Sequence, residues 1–463
     1  MHCGYIVKIE KLRPHSNADK LQIATFFGND TCVSLDTQLG DIGVYFPSGL
    51  QLSEEFCAQN NLVRKKDDAG NEIGGYMDPK KRNVTTIRLR GEKSDGIYLP
   101  ITCFDYLYPS NKPDVPIINL SVGDTVTVVN GHEICCKYVP RRNIAQYNKE
   151  RYGSKVPRIK IPVAPLFQEH KDTEQLAYNL DAFKPGDEIE ITLKMHGTSQ
   201  RTGYLPVLRG YKRTLLDRIL RRQGTPIYDW GYVSGTRRTV LENYDGGYYG
   251  SNEFREQHSK LFEGKLWKGE TVYYEVVGFT HTGVPIMGNG KNSKLGKDFV
   301  KKYGAETIFA YGCEPHPFNT KLEYNHPQSD VYIYRMTMTN EDGDVVEYTP
   351  DFMRYRCEQM GVKTVPVFEK FTIGDLRTCS NDDYDVYTTS PEDVIKIAEE
   401  YYDGPDPIGK THIREGVVVR ILNRPSFKAY KHKNFEFKVL EGIIAEAIAD
   451  SNSEVVESAL EEM

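Results

Sequence analysis

Hydrophobic and polar positions alternate differently in two parts of the chain. Through residues 1–136 the apolar residues come in short runs: Ile6-Val7-Lys8-Ile9, Ile42-Gly43-Val44-Tyr45-Phe46, Thr86-Ile87-Arg88-Leu89-Arg90 and Asp124-Thr125-Val126-Thr127-Val128-Val129. Pro14, Gly40-Asp41, Pro47 and Gly49 interrupt them. β-Branched and aromatic runs bounded by turn formers read as strands. Several short strands with little helix predict a small β-barrel. Residues 161–440 alternate strand and helix patterns. Ile189–Leu193, Thr271–Val277, Thr307–Tyr311, Val331–Met338 and Gly416–Ile421 read as strands. Asn340-Glu341-Asp342-Gly343-Asp344 is a hairpin signal. Helices are expected at Pro350–Met360 and Pro391–Tyr401, where proline suits the first turn. The fold class is α+β, with the second domain built on antiparallel sheets.

Length and charge refine this picture. At roughly 100–200 residues per domain, 463 residues suit two or three domains. The basic, weakly apolar stretch 137–160 reads as a linker, and Glu441–Met463 as an acidic helix with Ile443, Ile444, Ala447 and Ile448 on one face. The net charge is −6, yet Arg209, Lys212, Arg213, Arg218, Arg221 and Arg222 form a second basic tract. Such tracts can hold phosphates although the total charge is negative. No apolar run reaches the ~18 residues of a membrane span. The N-terminus lacks the basic and apolar regions of a secretion signal. Of nine cysteines only Cys135-Cys136 are close, and no C-x-x-C occurs, which argues against a zinc ribbon or a disulfide framework. A cytoplasmic protein is expected, with no membrane and no protein partner indicated.

The chemistry lies in an ordered set of charged residues. Lys194-Met195-His196-Gly197 follows an apolar strand. Lys-x-x-Gly alone is uninformative, since Lys93-Ser94-Asp95-Gly96 and Lys301-Lys302-Tyr303-Gly304 match it too. Only Lys194 is followed in order by Glu275 within Tyr274-Glu275-Val276-Val277-Gly278, by Glu415-Gly416-Val417-Val418, and by Lys428, Lys431 and Lys433. Carboxylates set in apolar strands need a partner or a function. Lys93, in the strand-rich N-terminal region, has no such glutamate strand or lysine pair at sensible spacing and reads as an exposed turn. Gly288-Asn289-Gly290-Lys291 imitates a phosphate loop, but no Ser or Thr follows Lys291.

These residues resemble the covalent nucleotidyltransferases, the superfamily of DNA ligases, RNA ligases and capping enzymes. Lys194-x-His196-Gly197 looks like motif I, Tyr274-Glu275 like motif III, Ile308–Cys313 like motif IIIa, Glu415–Val418 like motif IV and Lys431-x-Lys433 like motif V. The His-Gly-Thr form of motif I, with His170-Lys171-Asp172-Thr173-Glu174-Gln175 upstream, is similar to ATP-dependent RNA ligases of the nick-sealing type. Ile9–Leu21 resembles the start of OB-type domains, as in ligases that carry an N-terminal OB-like domain. The resemblance implies an OB-like domain at 1–136 and a nucleotidyltransferase domain at 161–440.

It also implies roles. Lys194 would carry AMP, as a neutral amine that attacks ATP, whereas free lysine titrates near ~10.4. Lys431 and Lys433 would hold the α-phosphate. Glu275 would bind the ribose, and Tyr311, or Phe309 on the same face of its strand, would stack on adenine. His196 and Gly197 would shape the ATP site, and Arg237 would meet an RNA 5′-phosphate. Glu415 would touch Mg²⁺ (or Mn²⁺) through water. The substrate would be RNA, as a nicked duplex or as ends on a splint. Departures are Leu193, where related ligases often have glutamate, and a long stretch at 203–233. Lys428 is an alternative motif V lysine. Rival readings are a DNA ligase, a GTP-using capping enzyme, or a non-catalytic RNA-binding protein. The first two place an OB domain after motif V, where here 463 − 438 = 25 residues remain, too few for a barrel.

Overall fold

The computed structural model describes residues 2–66, 72–107, 120–138, 162–220, 222–241, 244, 253–280, 286–287, 297–304, 329–378, 386–408, 412–440 and 444–446. The chain forms two compact units, Met1–Lys155 with Glu441–Met463, and Val156–Leu440. Both mix helix with mostly antiparallel strands.

In the first unit, Ile42–Phe46 lies between Gly4–Lys8 and Ile97–Pro100, with Thr125–Val126 at the edge. Ile6, Val44, Phe46 and Leu99 pack with Phe56 and Phe104 in one core. Leu12–Pro14, Leu21–Phe26 and Asn29–Ser34 form a separate meander. The strands are divided among several small sheets, and among the described residues these do not close into the expected barrel. The physical reason is shortness. The run read as one strand at 124–129 splits into Thr125–Val126 and Val128–Val129, which belong to different sheets. The C-terminal segment also departs from its reading. Ile444–Glu446 is not helical but pairs in parallel with Thr86–Arg88. β-Branched Ile444 favours extended backbone, and the Thr86–Leu89 strand offers a hydrogen-bonding edge. The rest of that segment lies outside the described residues.

The second unit holds two sheets. One has the order Glu174–Gln175, Lys428–Lys433, Gly416–Ile421, Glu188–Leu193, Val367–Thr372. The other runs Thr225–Gly235, Thr198–Lys212, Glu270–Gly278, Ser329–Thr339, Val345–Glu347, with Lys363–Thr364 beside Ser329–Thr339. The helix Pro350–Met360 begins where expected. Thr349 Oγ1 caps it by accepting from Phe352 N, Pro350 occupies its first turn, and Gly361 ends it in a left-handed conformation. The second expected helix spans Asp393–Tyr402 and buries Val394, Ile395, Ile397 and Ala398. Among the described residues no helix is long and apolar enough to cross a membrane.

Two-residue periodicity sorts the central strands of the first of these sheets. Ile189, Ile191 and Leu193 face the core, fully buried. Glu190, Thr192 and Lys194 alternate with them and line a cleft.

Candidate active site

Strand register gathers the charged residues. In the first sheet Leu193 pairs with Val417, and Gly416 with Lys433. Lys194, Glu415 and Lys433 therefore meet at the same end of three adjacent strands. The backbone N–H of Lys194 donates to the Gly416 carbonyl at 3.0 Å. Two glycines make the approach possible. A Cβ on Gly197 would lie 2.4 Å from the Val276 carbonyl oxygen, so only glycine lets the turn after Lys194 press against the Glu275 strand. Gly416 has φ of +143°, and a Cβ there would lie 2.1 Å from the His432 carbonyl oxygen.

The result is a buried carboxylate shared by two lysines. Glu415 Oε1 is 2.6 Å from Lys194 Nζ and 2.9 Å from Lys433 Nζ. Its other oxygen is 3.6 Å from His196 Nδ1. The Glu415 side chain is only 4% exposed, against 21% for Lys194. Burial alone would raise its pKa, but Lys194 and Lys433 outweigh that and hold it well below the usual carboxylate range. His196 Nε2 donates to the Met287 carbonyl, and its ring meets Phe437 edge-on at 4.8 Å. On the Lys428–Lys433 strand, Lys431 precedes Lys433 by one alternation, opposite Val418. Burial first, then Lys194 and Lys433, depress its pKa to about 8. Two lysines thus share one carboxylate, with Lys431 close enough to feel both, and the surplus of positive charge suits a phosphate.

The second sheet supplies the opposite wall of the cleft, an open space of roughly 860 Å³. Glu275, between Ser199 and Tyr332 in register, is partly buried there. Burial pushes its pKa up to about 7, against the pull of Lys194. Beside it runs a hydrogen-bonded relay: Ser199 Oγ to Tyr334 Oη at 2.9 Å, and Tyr334 Oη to His170 Nδ1 at 3.2 Å. Burial, then Arg237 and Arg335, depress the His170 pKa to about 4. The imidazole is therefore neutral near pH 7, and one hydrogen bond joins Tyr334 Oη and His170 Nδ1. At the rim, the half-exposed Arg237 and Arg238 both hold Asp172, at 3.2 and 3.0 Å. The floor is ionic too. Glu190 pairs there with Arg354 at 2.8 Å, and Glu347, outside the lining, pairs with Arg335 at 2.9 Å. The Phe427 ring lies 4.9 Å from the Arg335 guanidinium and 5.0 Å from that of Arg420.

Of the residues singled out in the sequence, Lys194, Glu275 and Arg237 line the cleft, and His196, Gly197, Glu415, Lys431 and Lys433 cluster around Lys194. Lys428 is exposed and pairs with Ile421 at the other end of its strand, away from Glu415. Tyr311 lies outside the described residues, as does the loop around Gly288–Lys291. Sequence reasoning missed Ser199 and Tyr334 as partners of His170, because strand pairing across the second sheet joins them. Among the described residues no three His, Cys, Asp or Glu side chains converge to cage a metal. The Glu415 carboxylate suits instead a hard divalent cation held through water.

With the geometry in view, the fold can be compared with known proteins. It is similar to the Naegleria gruberi RNA ligase with PPi, at 16% identity over 95% of this chain and 98% of that one, with a TM-score of 0.53. A lysine-to-alanine variant of that ligase with ATP and Mn matches at 16% identity over 95% of this chain and 97% of that one, TM-score 0.51. A glutamate-to-alanine variant with ATP and Mn matches at 16% identity over 96% and 99%, TM-score 0.53. No protein-family model and no curated protein matches the sequence. At this identity the likeness is one of fold, and it extends over nearly the whole of both chains.

Proposed function

We propose that this protein is an ATP-dependent RNA ligase that carries AMP on Lys194 and seals RNA ends, foremost at nicks in duplexes. The observation that carries the reading is the Lys194–Glu415–Lys433 cluster at the mouth of a cleft in an RNA-ligase fold.

The chemistry follows from the residues. The Lys194 amine, having shed a proton, attacks the α-phosphorus of ATP. A P–N bond forms, the bond to the β-phosphate oxygen breaks, and pyrophosphate leaves. Glu415 aims the amine, since its buried carboxylate holds Nζ at 2.6 Å. Lys431 and Lys433 stabilise the charge that develops on the α-phosphate oxygens. Glu275 accepts hydrogen bonds from the ribose hydroxyls. Val418 lines the cleft between Thr192 and Lys431 in register and offers the adenine an apolar floor. A hydrated Mg²⁺ or Mn²⁺ beside Glu415 would neutralise the triphosphate. In the second step an RNA 5′-phosphate oxygen takes the AMP from Lys194. In the third the RNA 3′-hydroxyl attacks that activated 5′-phosphate and AMP leaves. Arg237 at the rim meets the 5′-phosphate, exchanging Asp172 for it.

The test is covalent labelling with [α-³²P]ATP or GTP and Mg²⁺. A label from ATP that added nicked RNA discharges supports the reading. A label from GTP alone would assign capping chemistry instead. No label on AMP-free protein would favour RNA binding without catalysis.

A further inference from the structure

The stretch 203–233, longer than ligation chemistry requires, builds an arm. Arg201–Gly203 pairs with both neighbours in its sheet, but from Tyr204 onward the strand pairs with Thr225–Gly235 alone. The resulting two-stranded ribbon runs through Lys212, roughly 25 Å at ~3.3 Å per residue. Its end carries the short helix Leu215–Ile219. Leu215, Leu216, Ile219 and Leu220 are 80, 67, 72 and 50% exposed. Positions i, i+1, i+4 and i+5 form one stripe, and Lys212, Arg213 and Arg222 flank it, all exposed. Asp217 is occupied, accepting from the Thr214 hydroxyl at 2.6 Å and its N–H at 2.9 Å. Four aliphatic side chains in water mark an unfilled interface. RNA satisfies such a tip poorly, because its grooves offer phosphates and polar edges but no aliphatic surface.

A complementary surface exists on the same unit. The helix Pro350–Met360 turns Phe352 and Tyr355 outward, 39 and 52% exposed, with Glu358 on the same side. Val346, 62% exposed, and the exposed Glu341 and Asp342 belong to the hairpin that precedes it. This face is apolar with an acidic rim, where the arm's tip is apolar with a basic rim. Both are exposed in one copy, so neither covers the other within the chain.

We propose that the arm's tip docks on the Phe352–Tyr355–Glu358 face of a second copy of this protein. The contact joins two different surfaces, and two copies that exchange arms satisfy both at once. Apolar burial holds the pair, and opposite charges set its register and its salt dependence.

Sedimentation velocity of the full chain at low salt tests this. The mass moves from 52.9 kDa toward twice that value as concentration rises. The tip variant Leu216→Glu/Ile219→Glu and the face variant Tyr355→Lys/Glu358→Lys each stay monomeric, with thermal midpoints unchanged. An equimolar mixture of the two associates at least tenfold more tightly than either alone, since each keeps the surface that the other lacks. Should a midpoint fall, the milder Leu216→Ala/Ile219→Ala takes the place of the tip variant. A wild type that stays monomeric throughout, a face variant that still dimerises, or a mixture that stays monomeric overturns the proposal. A monomeric wild type whose tip variant loses RNA affinity would assign the arm to RNA instead.

Discussion

The chain carries one tetrapeptide pattern in three places, and two of them make a contrast. Lys93-Ser94-Asp95-Gly96 and Lys194-Met195-His196-Gly197 both match Lys-x-x-Gly. Their surroundings differ. Lys93 lies within the strand Glu92–Ser94, not in the turn its sequence suggests, and points to solvent. Its companions serve the fold. Ser94 Oγ accepts from Cys32 N, and Asp95 accepts from the Thr86 hydroxyl. At Lys194 a buried carboxylate, two further lysines and a cleft converge. The tetrapeptide does not make the site; strands brought from residues far along the chain do. If so, losses should be largest at the amine and should shrink with remove from it.

The sharpest contrast is between the lysines themselves. Lys194→Ala should abolish AMP labelling, by more than ~1000-fold, because no other group can form the P–N bond. Lys93→Ala should label like the wild type. A label retained by Lys194→Ala, or lost with Lys93→Ala, would reverse the assignment.

One step outward, Glu415→Gln leaves the shape but removes the charge between Lys194 and Lys433. Breaking a buried ion pair from one side costs about 3–5 kcal/mol, because the remaining cations lose their compensation. Labelling is expected to fall ~100-fold or more, with a lower thermal midpoint. The equivalent change in the first unit, Asp95→Asn, should leave labelling intact.

Further out, the effects become pH-dependent. Lys431, depressed to about 8, is charged below that pH and neutral above it. Its hold on a phosphate should therefore weaken as pH rises, by ~10-fold at one unit above its pKa. Titrating α,β-methylene-ATP across pH 6.5–9.5 measures this without turnover. Lys431→Arg should flatten the alkaline limb, since guanidinium stays charged. Glu275 carries the opposite sign. With its pKa raised to about 7, protonation is favoured in the folded state. Its contribution to stability is full below the ordinary glutamate pKa of ~4.3 and is lost as pH rises through 7. Glu275→Gln should remove that slope from the thermal midpoint.

How much of this was legible beforehand follows the same division. The strand Gly416–Ile421 and the helix Pro350–Met360 were readable to the residue, because an apolar run in one and a proline with a terminal glycine in the other are local signals. The choice of Lys194 over Lys93 needed only the spacing of the following glutamates and lysines along the chain. The first unit was harder. Its strands are two to six residues long, and pairing decided which sheet each joined. Ile444–Glu446 adopts a strand only because a distant edge accepts it. The Ser199–Tyr334–His170 relay was invisible for the same reason: its members are 135 and 164 residues apart.

That relay supports the smallest effect, and the one that best probes how far the surroundings matter. Tyr334→Phe keeps the ring edge-on to His170, at 5.5 Å in the native protein, and deletes only the hydroxyl. Ser199 Oγ and His170 Nδ1 then each lose a hydrogen-bond partner. A net hydrogen bond of this kind contributes ~0.5–1.5 kcal/mol. The loss should be ~3–10-fold and should appear in transfer of AMP to the RNA 5′-phosphate more than in loading, since His170 sits beside Arg237 at the rim and not at Lys194. Single-turnover transfer from pre-labelled enzyme separates the two steps. An equal loss in both would make the relay a structural brace for the cleft wall, and a wild-type rate in both would confine the site to the lysines and carboxylates of the first sheet.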